Sequence, residues 1–130
     1  MSNRLASRVM LVVWCASSVA VASAPVTVSP GRVDLIVPIS GRCPTFSWGL
    51  VADAVTLRLE LWGVASDEKG QPTLLSTVEL AGGATSWTPE LVKCLASGGT
   101  YAWRIGGVPA SGEEVWSEPS WFAIPPEAAI

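Results

Sequence analysis

The chain has 130 residues, with eight Lys and Arg against 11 Asp and Glu and no histidine. That length holds one domain, and 49 % hydrophobic residues are enough to give it a core. An acidic chain without a basic stripe is excluded as an electrostatic binder of nucleic acid or anionic lipid, and the missing histidine removes the commonest general base and metal ligand.

Arg4 and Arg8 form a positive start, Val9 to Val21 is apolar apart from Ser17 and Ser18, and Ala20-Val21-Ala22 is a small-residue cleavage pattern before Ser23. Residues 1–22 read as a signal peptide. Cutting after Ala24 is poorer, because Pro25 would follow the cut. The alternative is an uncleaved anchor, but a spanning helix wants about 20 apolar residues. Trp14 beside Cys15 is too bulky for a lipoprotein cleavage site. Cleavage leaves six basic residues against 11 acidic, a net charge of −5, and two cysteines, Cys43 and Cys94. An even count in an exported domain reads as a disulfide; the alternative is two free buried thiols. The expected location is secreted or periplasmic, with membrane contact only through the transient export signal.

Residues 23–32 hold two prolines and no strong period, and read as an extended lead-in or a first edge strand. Val33 to Ile39 is a short β segment containing Pro38, which suits an edge. Thr45 to Trp48 alternates, with Phe46 and Trp48 on one face. Val55 to Trp62 is the clearest strand: Val55, Leu57, Leu59 and Leu61 point one way, and Thr56, Arg58, Glu60 and Trp62 the other. Ser66 to Pro72 is a polar turn. Leu74 to Leu80 and Ser86 to Thr88 are further strands. Glu90 to Ala96 is expected as one helical turn, capped by Thr88 with Pro89 at its first position. Tyr101, Trp103 and Ile105 share one face of the next strand, Gly106 to Glu113 reads as a loop, and Glu114–Trp116 with Trp121–Ile124 make a final strand interrupted by Pro119. Pro125-Pro126 closes the domain, leaving residues 127–130 as a tail.

About seven short strands with regular turns point to an all-β sandwich. Leu95 lies six residues before Tyr101, the spacing of a tyrosine corner. Together with Phe46-x-Trp48, Ser86-Trp87-x-Pro89, Tyr101-x-Trp103 and Trp116-Ser-x-Pro119 before Phe122, this order resembles a fibronectin type III domain, of the divergent kind met in bacterial exported proteins. The resemblance spans Val33 to Ile124 and implies a seven-stranded antiparallel immunoglobulin-like sandwich over residues 33–126. It departs from the family where Ser97 replaces the usual proline of the corner and in the disulfide, which the family usually lacks. No Arg-Gly-Asp loop is present, so integrin binding is not implied. In such a sandwich the second and sixth strands run in the same direction, which puts Cys43 and Cys94 at one end, where a bond between sheets is feasible. The expected core is Phe46, Trp48, Leu57, Leu59, Leu61, Trp103, Ile105 and Phe122.

The sequence carries no catalytic constellation and implies no cofactor or metal. Asp67-Glu68 and Glu113-Glu114 are neighbours in turns, whereas glycosidase carboxylates face each other roughly 5–9.5 Å apart. No glycine-rich phosphate loop and no calcium-loop spacing is present. The seven tryptophans are the functional lead. Trp14 leaves with the signal, Trp48 and Trp103 belong to the core, Trp87 is expected to cap it, and Trp116 to pack on Pro119. Trp62 and Trp121 fall opposite their strands' apolar sets, with Arg58 on the face of Trp62. Exposed aromatics anchor interfaces or stack on sugars; otherwise they cover sheet edges. The leading expectation is a non-catalytic exported module for protein–protein contact or adhesion at a bacterial envelope. A carbohydrate-binding module using Trp62 and Trp121 and a structural spacer are the alternatives, so the partner is an unknown protein or glycan. Finding both tryptophans on one sheet face would favour binding over edge cover.

Overall fold

The computed structural model describes residues 24–64 and 71–127. The signal segment 1–22 and most of the Ser66–Pro72 turn lie outside the described residues. Strands β1 (Thr27–Ser29), β3 (Phe46–Trp48) and β6 (Ser86–Trp87) form a small sheet in the order β1-β3-β6. The larger sheet contains β2 (Val37–Pro38), β4 (Ala54–Val64), β5 (Thr73–Ala81), β7 (Thr100–Pro109), β8 (Val115–Trp116) and β9 (Ser120–Ala123). Its order is β2-β9-β7-β4-β5, with β8 also beside β7. All pairs are antiparallel except β2 with β9. Seven strands carry the sandwich; β2 and β8 are two-residue additions. In the immunoglobulin constant arrangement the fourth strand joins the sheet of the first, second and fifth strands. Here β5 pairs with β4 in the larger one, which is the fibronectin type III arrangement.

Alternation along β4, β7 and β9 builds the core. Leu57, Leu59 and Leu61, then Tyr101, Trp103 and Ile105, then Phe122 point inward and are buried, together with Phe46 and Trp48 of the small sheet. Phe46 meets Trp103 edge-on at 5.1 Å, and Trp48 lies 6.2 Å from the same indole. Each large apolar side chain removed from water contributes about 1.5–3 kcal/mol. The polar tips are satisfied as well: Trp103 Nε1 donates to the Pro30 carbonyl at 2.8 Å and Trp48 Nε1 to Ala84 at 2.9 Å.

The segment 23–32 contributes β1, the first edge strand that was one of its two expected forms. Several other local expectations are corrected. Val33 to Ile39 is a strand only at Val37–Pro38. Arg32 bridges Trp121 in the antiparallel sense while Val37 pairs with Phe122 in the parallel sense, so the chain must reverse between them and residues 33–36 leave the ladder. Val55 does not join the leucines inside. An irregular step between Ala54 and Thr56 turns it outward, and it is 59 % exposed. The turn after Pro89 is a 3-10 turn at Leu91–Lys93 with Glu90 before it and no side-chain cap; the Thr88 hydroxyl pairs instead with that of Thr45 at 2.7 Å. The Gly106–Glu113 loop is also shorter, because β7 continues to Pro109. Gly106 and Gly107 are strand residues whose missing side chains leave room for Trp116 and Val51; a Cβ at either would sit 2.8 Å from its neighbour.

Candidate functional site

Cys43 precedes β3 and Cys94 precedes β7, and the two are bonded with Cα atoms 4.8 Å apart. Alongside, Leu95 N donates to the Arg42 carbonyl at 2.8 Å and Arg42 Nε returns a bond to the Leu95 carbonyl at 2.7 Å. The next turn is the tyrosine corner: Leu95 is buried and Tyr101 Oη donates to the Ala96 carbonyl at 2.8 Å. These residues fasten one end of the sandwich.

The candidate binding residues lie elsewhere, on the outer face of the larger sheet. Trp62 on β4 is level with Ala102 on β7, which is level with Trp121 on β9. On the other side Trp62 is level with Leu74 of β5. Leu74, Trp62, Ala102 and Trp121 therefore form one apolar row across four strands. Neighbouring strands are about 4.8 Å apart, which puts the two tryptophan backbones roughly 9.6 Å apart. Ala102 faces outward yet is only 5 % exposed, because it lies between the taller side chains of Trp62 and Trp121. Both indoles remain half-buried.

Charged residues fill the adjoining rows. Glu60 and Arg104 are level, and Arg104 Nε donates to Glu60 Oε1 at 2.8 Å. The Arg104 guanidinium also lies 3.9 Å from the centre of the Trp116 ring, itself seated over Gly106. Trp116 thus packs on Arg104 and the sheet. Arg58, one row further on, contacts Glu114 at 2.9 Å and Glu79 at 3.4 Å. Glu114 Oε2 is enclosed but receives no hydrogen bond; its contact with Arg58 is an ion pair alone. Strand alternation alone puts Arg58, Glu60 and Trp62 on one face of β4, sets Arg104 opposite Trp103 on β7 and turns Trp121 away from Phe122, but it does not bring Trp116 or Leu74 to that face. Arg104 and Glu60 were legible from strand alternation, whereas Leu74 and Trp116 needed the register.

Among the described residues no group of three or more His, Cys, Asp or Glu side chains is placed to hold a metal ion, and no helix is long and apolar enough to cross a membrane.

No protein-family model and no curated protein matches the chain. Among solved structures it is similar to a Fn3-like protein from Clostridium thermocellum, with a TM-score of 0.46 and 18 % identity over 82 % of this chain and 100 % of that one. It is also similar to the third fibronectin III domain of human KIAA0343 protein, with a TM-score of 0.47 and 16 % identity over 78 % and 94 % of the two chains. By its own strand order and its Tyr101 corner, the chain has a divergent fibronectin type III-like fold.

Proposed function

We propose that this β-sandwich is a non-catalytic, exported adhesion module that holds its partner on the outer face of the larger sheet, at a bacterial envelope. The supporting observation is the Leu74–Trp62–Ala102–Trp121 row. The inward faces of β4, β7 and β9 already supply the core, so the fold has no need of two tryptophans on the opposite face. Large, rigid aromatic side chains give contact area at little entropic cost and dominate binding surfaces. The Cys43–Cys94 bond suits an oxidising compartment outside the cytoplasm, and the pattern of residues 1–22 supplies a route there.

The test is retention of the oxidised protein on isolated cell envelopes, with Trp62→Ala and Trp121→Ala compared at matched folded fraction. Saturable retention that both variants weaken supports the reading. Equal behaviour of all three proteins would reduce the domain to a spacer.

A further inference from the structure

Resting on that reading, we infer that the ligand of the Trp62–Trp121 row is a neutral polysaccharide, whose sugar rings stack on the two indoles. Charge narrows the choice first. Among the described residues, the charged groups on this face are already paired: Arg104 with Glu60, Arg58 with Glu79 and Glu114, and Arg32, level with Trp121, with Asp34. An anionic partner would find no free cation among these pairs, and would have to break pairs that the sheet register holds in place. A neutral partner meets no such opposition.

Chemistry narrows it further. A sugar ring has an apolar face of C–H groups and a rim of hydroxyls. The row Leu74–Trp62–Ala102–Trp121 supplies flat apolar surface. The rows beside it supply guanidinium N–H groups and carboxylate oxygens with capacity left over. Donors and acceptors lying side by side suit hydroxyls, which both donate and accept.

Shape completes the case. The backbones of Trp62 and Trp121 stand two strand spacings apart, roughly 9.6 Å, on either side of the small Ala102. That is the scale of a disaccharide repeat, so a linear chain laid across the strands would place alternate sugars over Trp121 and Trp62. The row crosses β9, β7 and β4 without a bulge on the β7–β9 side, so the surface suits an extended chain and not a single enclosed sugar.

The experiment measures retention of the exported, oxidised full chain on the uncharged polysaccharides cellulose and chitin, and in parallel on whole envelopes with and without prior protease treatment. Trp62→Ala, Trp121→Ala and Trp62→Tyr are compared with wild type, each checked for cooperative unfolding. The expected result is saturable retention on at least one polysaccharide, unchanged between low and high salt, because no net charge is neutralised. Each alanine variant should lose about tenfold or more in apparent affinity, and Trp62→Tyr should recover most of it. Retention on envelopes that protease treatment abolishes, with none on any polysaccharide, would assign the face to a protein and overturn the glycan inference alone. Retention that collapses with salt would overturn the neutral ligand. Absence of retention on envelopes as well as polysaccharides would overturn the adhesion module itself.

Discussion

The hydroxyl of Tyr101 reaches back five residues to the carbonyl of Ala96 at 2.8 Å, while its ring stacks on Phe122 at 5.5 Å. One side chain thus ties the crossing between the sheets to the Tyr101–Phe122 pair of β7 and β9. The neighbouring Gly99 has room for no side chain, since a Cβ there would lie 2.6 Å from the Tyr101 hydroxyl. Tyr101→Phe keeps the ring and removes the bond. A net loss of about 0.5–1.5 kcal/mol is expected, or about 4–8 °C in melting temperature per kcal/mol for a domain of this size. Thermal unfolding followed by circular dichroism measures it; an unchanged midpoint would show that the corner contributes nothing to stability.

The Cys43–Cys94 bond closes a segment with a sequence separation of 51. Chain-entropy reasoning gives at most about 4 kcal/mol from such a loop, a large part of the ~5–15 kcal/mol typical of a domain. The double variant Cys43→Ser/Cys94→Ser should still fold at 25 °C, because the core and the Arg42–Leu95 hydrogen bonds remain. Its urea midpoint should fall sharply. A variant that matched wild type would mean the reduced chain is already constrained when unfolded.

Alternation made much of this legible in the sequence. Leu57, Leu59, Leu61, Trp103 and Ile105 declare their inward face by an i, i+2 repeat, and Trp62 declares the opposite one by breaking it. What could not be read was pairing between distant strands. That Trp62 and Trp121 are level depends on two registers meeting at Ala102, and nothing within either strand encodes its alignment to the other. Val55 was misplaced for a related reason: it continues the period in sequence, but the irregular step after Ala54 shifts its phase. Gly106-Gly107 read as a loop because glycine is a turn signal. Here it serves close packing, with Trp116 lying directly over the backbone.

Ser117 ends β8 with a reciprocal pair of bonds to Ile105. Its N–H donates to the Ile105 carbonyl at 2.8 Å, and its Oγ accepts from the Ile105 N–H at 3.0 Å. Both residues are buried. Ser117→Ala would leave the Ile105 N–H without its acceptor, at a cost of about 1–3 kcal/mol, whereas Ser117→Thr keeps an oxygen in place. Amide hydrogen exchange at Ile105 is the discriminating readout. It should accelerate in the alanine variant beyond what the global loss of stability explains, and equal protection in both would rule out this bond as the anchor of β8.

Gly106 separates the two halves of the outer face. A methyl group there would stand 2.8 Å from the Trp116 ring, too close for the indole to stay flat, and the sheet backbone beneath is fixed by pairing with Arg58 and Trp116 on either side. The ring must therefore lift, taking with it the stacking of Arg104 at 3.9 Å. Gly106→Ala is expected to cost about 1–3 kcal/mol through overpacking and to shift tryptophan fluorescence to the red as the Trp116 ring meets more water. The Trp62–Ala102–Trp121 row lies four residues away along β7, beyond the Glu60–Arg104 row, and has no reason to move. Arg104 borders that row, so losing its stacking should weaken envelope retention by the folded variant, but by well under the about tenfold expected of Trp62→Ala. A loss as large as that of Trp62→Ala would show that Trp116 belongs to the same binding surface as Trp62 and Trp121, and that the face works as a single unit of three tryptophans.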